Sequence, residues 1–472
     1  MSLYPVKRTK IVCTIGPASQ SEKVIRSLIR AGMDVARLNF SHGDFETHRR
    51  VIKTIRRVAR ELDKPVAILQ DLPGPKIRIG PVAGERVRLR SGKTFSLTRR
   101  KLIGNEQAVS VEYSRFPRLV KKGDLILLGD GEIELEALRV GADEVYCKVV
   151  VGGVLGSRKG IHLPHRTINL PSLTEQDKRA LAFGLQNGVD LIAISFVRQP
   201  KDIAYARAHM RRLGTELPII AKIEKHEALE HMEAILNEVD GLMVARGDLG
   251  LEIPPERIPA LQKLLIRMAN NRGKPVITAT QMLRSMVQSP RPTRAEVADV
   301  ANAILDGTDA LMLSEESAVG SYPSRAVETM AKIAVETERS LEPRYHVDSF
   351  ERTIPVAISH AAASLARELQ LKAFLVPTSS GSTARLIARH RPLQPILALS
   401  PNPKTVQSLC LVWGVYPFRV RNYQTIDAMI RLAQHKALEL GMVKKGDLVG
   451  ITAGLPLHQA GTTNMITVKP VE

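Results

Sequence analysis

Residues 218–250 read PIIAKIEKHEALEHMEAILNEVDGLMVARGDLG, and they contain the fold in one repeat. A short apolar run behind a proline, Pro218 to Ile223, passes into a helical pattern and then into a second run, Gly241 to Val244. That is one βα unit and the start of the next, with strands apolar throughout, as a parallel sheet covered on both faces requires. Outward from this repeat the alternation continues. The runs Thr9 to Ile15, Asp34 to Leu38, Pro65 to Leu69 and Asp190 to Phe196 precede it, and Pro275 to Ala279 and Ala310 to Leu313 follow. Amphipathic segments such as Ser21 to Arg30 and Pro259 to Asn270 lie between them. Eight such runs predict a (β/α)8 TIM barrel of the α/β class.

Successive runs lie about 25 to 35 residues apart, the length of one βα unit, except the third and fourth, which are separated by more than three times as much. The segment between them, about Leu72 to Ile168, sets Gly80, Gly84, Gly92, Gly123, Gly129, Gly131, Gly141 and Gly152-Gly153 among short alternating runs such as Asp124 to Leu128 and Glu144 to Val151. Many tight turns between short strands predict a small inserted β domain. Beyond the eighth unit, the helix Ala326 to Glu338 leads to a segment with its own strands, Ala373 to Val376, Ile396 to Leu399 and Asp447 to Ile451. The predicted organisation is a barrel in two parts, 1–71 and 169–341, interrupted by the insertion at 72–168 and followed by a C-terminal α/β domain at 342–472.

A chain of 472 residues exceeds one ordinary hydrophobic core, in keeping with several domains. Its composition, 44% hydrophobic and 25% charged, is that of a soluble protein, and no apolar run approaches the roughly 20 residues that span a bilayer. Lys7 and Arg8 run straight into the first strand, leaving no room for a signal peptide, so a cytoplasmic location is expected. The three widely separated cysteines Cys13, Cys147 and Cys410 make neither the even set of a disulfide framework nor a C-x-x-C zinc knuckle and read as small buried hydrophobes. The net charge of +20 suits anionic partners, but basic residues are interspersed with acidic ones and aromatics are only 4%, too few for base-stacking platforms. No specific nucleic-acid partner is expected.

In a barrel of this kind the reactive groups sit at the carboxyl ends of the strands. Those positions hold Arg37, Asn39, Ser41, Asp71, Ser195, Lys222, Glu224, Asp248, Thr280, Ser314 and Glu316. Glu224 and Asp248 are two hard carboxylates at neighbouring strand ends, the minimum protein share of a Mg²⁺ site, with a structural salt bridge as the plain alternative. Lys222 shares a strand face with Glu224 and suits a moving phosphoryl group or a developing enolate. Arg37 offers a planar fork for phosphate oxygens. Two other motifs fail on spacing. Gly92-Lys93-Thr94 lacks the earlier glycine of a P-loop, where Val87 stands, and reads as a hairpin turn; His226-Glu227 with His231 misses H-E-x-x-H by one residue. In the last domain, Thr378-Ser379-Ser380-Gly381-Ser382-Thr383 joins an apolar strand to a helix at Ala384 to His390, where hydroxyls and backbone N–H groups suit a phosphate.

Arg8-Thr9-Lys10-Ile11-Val12-Cys13-Thr14-Ile15-Gly16-Pro17, Arg37-Leu38-Asn39-Phe40-Ser41-His42-Gly43, Lys222-Ile223-Glu224, Val244-Ala245-Arg246-Gly247-Asp248-Leu249-Gly250, Thr280-Gln281-Met282 and Met312-Leu313-Ser314 together resemble the pyruvate kinases, over essentially the whole chain. The resemblance implies a barrel interrupted by a small β-barrel lid and followed by a regulatory α/β domain. It also implies phosphoryl transfer from phosphoenolpyruvate to ADP, giving pyruvate and ATP. Glu224 and Asp248 would hold the Mg²⁺, with Mn²⁺ as a substitute; Arg37 and Lys222 would contact the phosphoryl group; Gly247, Asp248 and Thr280 would hold the substrate carboxylate. Thr280, Ser314 and Glu316 would serve protonation to pyruvate, and Asn39, His42, Arg78 and Lys159 would meet the nucleotide. The family's K⁺ ligands match Asn39, Ser41, Asp71 and the carbonyl of Leu72. Many members carry Glu where this chain has Lys76, and members with Lys resemble the bacterial-type potassium-independent group, so no K⁺ requirement is expected. The Thr378 to Thr383 loop resembles the family's effector-phosphate loop, implying an allosteric sugar phosphate or nucleotide monophosphate, and family members are usually homotetramers.

Two alternatives carry different expectations. A Mg²⁺-dependent pyruvate-enolate aldolase on a barrel would use the same lysine, arginine and carboxylates but leaves the insertion and the hydroxyl loop without a purpose. A basic polyanion-binding protein would show salt-sensitive affinity and no turnover.

Overall fold

A computed structural model of the chain describes residues 7–164, 166, 170–342, 353–456 and 461–472. Eight strands, β1 (Lys10–Thr14), β2 (Val35–Asn39), β3 (Ala67–Leu72), β4 (Leu191–Ile194), β5 (Ile219–Ile223), β6 (Gly241–Ala245), β7 (Val276–Ala279) and β8 (Ala310–Leu313), close into a barrel in sequential order. Every pair is parallel. Their residues are almost all buried because one face fills the barrel and the other meets helices. Val12, Val35, Leu69, Ala193, Ile220, Met243, Ile277 and Met312 pack inside, while Ile11, Cys13, Ile68, Ile192, Ile219 and Leu311 pack outward. Leu411 and Cys410 from the C-terminal domain join the inner cluster, so that domain stops the amino end of the barrel.

The covering helices begin and end where the residue chemistry dictates. In helix Arg294–Asp306, Thr293 and Glu296 form a reciprocal capping box, and Gly307 ends the helix at a φ of 95° that favours glycine. Helix Glu175–Asn187 repeats the device with Thr174 and Asp177. Asp177 has a second task. Its carboxylate accepts the N–H of Gly74 at 3.2 Å, fixing the chain where it leaves β3 for the insertion. Gly74 has φ +68°, and a Cβ there would approach Phe196 and Ser195 to 3.0 Å.

The insertion holds a six-stranded sheet and a two-stranded sheet around one core that includes Phe95, Leu97, Phe116, Ile126, Leu135 and Val149. Within the larger sheet, Thr94–Thr98 and Ala108–Ser110 run parallel; the remaining pairs are antiparallel. Gly92, at φ +81°, does make the expected turn before Thr94, but the strands on either side belong to different sheets, so it is not a hairpin. The junction expected at 168/169 lies outside the described residues.

The C-terminal domain is a five-stranded sheet, β9 (Ala373–Pro377), β10 (Ile396–Ser400), β11 (Val415–Arg419), β12 (Leu448–Gly454) and β13 (Thr463–Pro470), ordered β11-β10-β9-β12-β13. Only the β12–β13 pair is antiparallel. β11 and β13 were not among the sequence expectations.

Candidate active site

Parallel register carries the polar ends of the strands to one rim. Asn39 lies beside Asp71 across β2 and β3, and Lys222 beside Met243 across β5 and β6. There Arg37, Asp71, Ser195, Lys222 and Glu224 form one connected chain of bonds. The Lys222 ammonium is 2.9 Å from Glu224 Oε1, 3.3 Å from Asp71 Oδ1 and donates to Ser195 Oγ at 2.8 Å. Ser195 in turn donates to the Leu72 carbonyl at 2.7 Å. Arg37 donates to Asp71 Oδ2 at 2.7 Å and to Thr14 Oγ1 at 2.8 Å.

Burial works to lower the pKa of Lys222, but Asp71 and Glu224 outweigh it and hold the pKa above the ordinary lysine value. Lys222 is a permanent cation on these terms. Asp71 is also kept ionised: burial opposes its charge, and Lys222 and Arg37 prevail. Glu224 goes the other way. Desolvation and the nearby Asp248 raise its pKa against the pull of Lys222. Asp248, despite burial, is held below the usual carboxylate range by Lys76 and Lys222. Two neighbouring carboxylates whose mutual repulsion is felt in this way suit a divalent cation, which relieves it.

Thr280 joins from β7. Its hydroxyl accepts the N–H of Gly247 at 2.9 Å and donates to the Ala279 carbonyl at 2.7 Å. Thr280 and Gln281 both lie in the left-handed region, at φ 69° and 56°, an unfavourable conformation for residues other than glycine. Arg246 holds the turn there, donating to the Thr280 carbonyl at 2.8 Å while its fork binds Asp299 at 2.7 and 2.8 Å. Glu316 is buried and accepts the N–H groups of Ser314 at 2.7 Å and Leu283 at 3.1 Å, so it orders the strand end beside Thr280.

The remaining expected residues divide into two groups. His42 and Lys159 are exposed and Arg78 half-buried; partial desolvation of the ring, with the charges of Arg78 and Arg37, lowers the pKa of His42. Of the expected K⁺ ligands, Asp71 is bonded to Arg37 and Lys222, the Leu72 carbonyl to Ser195, and Asn39 Oδ1 to the N–H of Ser41 at 3.1 Å. Lys76 does not stand among them. Its ammonium lies 3.2 Å from Asp248 Oδ1 and 3.7 Å from Asp130, and among the described residues it makes no ion pair with Asp71.

His162 was missed. It comes from the last described strand of the insertion, with its side chain 4% exposed and 3.8 Å from Asp248 Oδ1, and its Nε2 has no hydrogen-bond partner among the described residues. Burial, assisted by Lys76, pushes its pKa down to about 4, so the imidazole is neutral. Nothing in Gly160-Ile161-His162-Leu163 signals this role. Arg246 was discoverable, since it follows β6 directly at a strand end.

The hydroxyl loop stands apart, lining a cleft with Tyr423, Gly454, Gly461 and Thr462. Four of its hydroxyls are bonded within the fold: Thr378 Oγ1 accepts the N–H of Gly381 at 2.9 Å, Thr383 Oγ1 meets Thr463 Oγ1 of β13 at 2.6 Å, and Ser380 Oγ donates to Ser382 Oγ at 3.1 Å. The helix starts at Ser382, two residues before the expected Ala384.

A closed parallel barrel that gathers a fixed lysine, an arginine and a carboxylate pair at the carboxyl ends of its strands, with an inserted β domain beside them, defines a metal-dependent barrel enzyme for an anionic substrate. The model of the family described as pyruvate kinase, barrel domain, matches residues 6–327, and that described as pyruvate kinase, alpha/beta domain, matches 356–469. The chain belongs to the pyruvate kinase family and is an enzyme of that kind. It is 47% identical over 470 residues to pyruvate kinase 2 of Synechocystis sp., covering 99% of this chain and 80% of that one. It is 46% identical over 472 residues to the pyruvate kinase of Geobacillus stearothermophilus, covering 98% and 80%. The crystal structure of a pyruvate kinase from Cryptosporidium parvum superimposes with a TM-score of 0.92 at 36% identity, covering 99% of this chain and 97% of the other. The aldolase and polyanion-binding alternatives are set aside by this membership.

Proposed function

We infer that the enzyme transfers the phosphoryl group of phosphoenolpyruvate to ADP with Mg²⁺, or Mn²⁺ in its place, held by Glu224 and Asp248, and that it does so without K⁺. The observation that carries this reading is the ammonium of Lys222, fixed by three oxygens between Asp71 and Glu224. Bound there, the metal would supply positive charge to the phosphoryl and enolate oxygens. Lys222 and Arg37 hold the phosphoryl group with charge already in place, so little reorganisation accompanies transfer. The backbone of Gly247 and Asp248, at the first turn of helix Arg246–Glu252, and the hydroxyl of Thr280 receive the substrate carboxylate. Thr280 or Ser314 passes the proton to the enolate carbon, with Glu316 keeping Ser314 in place. Asn39, His42, Arg78 and Lys159 take the nucleotide.

Lys76 supports the K⁺-independent, bacterial-type reading in a different way from the expected one. It gives its charge to Asp248 and the substrate pocket rather than occupying the family's K⁺ ligands. An effector phosphate, of a sugar phosphate or nucleotide monophosphate, takes its hydrogen bonds from Ser379 and, once their bond to each other is given up, from Ser380 and Ser382, with Thr378, Gly381 and Thr383 shaping the loop. Arg385 lies beneath them, donating to the Ser380 carbonyl at 3.1 Å. A cytoplasmic homotetramer with the 72–168 segment as a lid completes the proposal.

Pyruvate formation from phosphoenolpyruvate, ADP and Mg²⁺ tests it, with sodium or potassium as the only monovalent cation. Equal turnover in both salts is expected. Turnover only in potassium would remove the K⁺-independent reading, and none in either would remove the substrate assignment.

A further inference from the structure

His226-Glu227, set aside as a zinc motif because His231 is one residue out of place, finds another partner in space. His226 and Glu227 open the short helix His226–Glu230 after β5, and Glu252 ends helix Arg246–Glu252 after β6. One donor atom from each of the three lies within 4.8 Å of the others. His226 Nδ1 is 3.1 Å from Glu252 Oε2 and 3.2 Å from Glu227 Oε2. Glu252 and Glu227 are 1% and 9% exposed. Glu252 has a cationic partner of its own, Lys225, on its other oxygen. Glu227 differs: neither of its oxygens accepts a hydrogen bond among the described residues, although it is aimed at the other two side chains. A buried carboxylate in that condition is costly, and an ion is one of the few groups that would satisfy it.

We propose that His226, Glu227 and Glu252 form a second metal site, for a divalent transition ion of the Zn²⁺ or Mn²⁺ kind, separate from the catalytic pair. One imidazole nitrogen with two carboxylates favours such ions, whereas Mg²⁺ takes oxygen donors and keeps its water. Glu252 would bind through Oε2, leaving Lys225 on Oε1. Three protein ligands leave a position for water, and His226, with its side chain 24% exposed, faces the way in. Without an ion the same geometry is an imidazole in polar contact with two carboxylates, and the experiment separates the two.

The full-length protein, free of nucleotide and phosphoenolpyruvate, is dialysed to equilibrium against Zn²⁺. Two ions per chain are expected for the wild type and one for Glu224→Gln, which loses the catalytic pair. One is also expected for Glu227→Gln and for His226→Ala, whose second site weakens at least about tenfold. Wild-type stoichiometry in folded Glu227→Gln and His226→Ala, checked by circular dichroism, would overturn the proposal. Crystals of the wild type soaked in Zn²⁺ need no variant. An anomalous peak between the three side chains is expected, and a peak at Glu224 and Asp248 alone would overturn the assignment.

Discussion

Lys222 reaches Ser195, Asp71 and Glu224 at once, and only one of these, Glu224, comes from its own βα unit, just past the end of β5. Ser195 has no charge to contribute; it fixes where the ammonium sits by anchoring to the Leu72 carbonyl. Ser195→Ala should therefore lower kcat about tenfold with KM for phosphoenolpyruvate little changed, the pattern of an interaction that matters most in the transition state. An effect on KM alone in steady-state kinetics would contradict this. Lys76 supports a second expectation. Lys76→Glu sets a carboxylate against Asp248, and turnover in sodium should fall at least about tenfold and recover with potassium, as charge lost from the site is resupplied. A variant indifferent to potassium would argue against it. The residues at strand ends were legible because a barrel puts chemistry there. His162 was not: its approach to Asp248 depends on how the insertion folds back over the rim, which no local spacing records.

Strands covered on both faces announce themselves as apolar runs, and all eight were legible within a few residues. β3 was the most misjudged, ending at Leu72 rather than Leu69, because Gln70 and Asp71 are polar although buried. β11 and β13 escaped for a related reason: Val415–Arg419 contains a proline, and the edge strand β13 is half polar and mostly not buried. One buried side chain makes four of the bonds that join barrel and C-terminal domain. Arg391 donates to Asp309 Oδ1 and Oδ2, each at 3.1 Å, and to Asn270 Oδ1 and the Gly307 carbonyl, each at 2.7 Å. Asp309 directly precedes β8, and Arg391 follows the helix that begins at the hydroxyl loop. Arg391→Met should destabilise the protein by about 3–5 kcal/mol, because it leaves a buried carboxylate without its cation. Denaturant unfolding measures this, and a loss below about 1 kcal/mol would mean that Asp309 finds other partners.

At the scale of the molecule, the base of the barrel and the C-terminal domain enclose a junction where Lys7, Lys10 and Lys64 surround Asp34. Burial pushes the Lys64 pKa down to about 8, against the pull of Asp34. An unfolded lysine titrates near 10.4, so between about pH 8 and 10.4 the unfolded chain binds more protons and this group makes stability rise with pH. Below that window both forms are protonated and its contribution is constant. The stability of the wild type relative to Lys64→Met should therefore improve as pH rises through the window, read from paired thermal melts; a difference independent of pH would contradict it. The order of domains was legible in the spacing of the runs, but this junction was not, because its lysines come from two separate segments and Asp34 from a third.

The most direct test of phosphoryl transfer at this barrel rim is the turnover of Lys222→Ala with saturating phosphoenolpyruvate, ADP and Mg²⁺, beside the wild type. The expected result is a kcat reduced at least about 10²- to 10³-fold in a folded protein that still binds Mn²⁺ at Glu224 and Asp248. A variant that keeps wild-type kcat, or loses only affinity for substrate, would contradict the role given to Lys222.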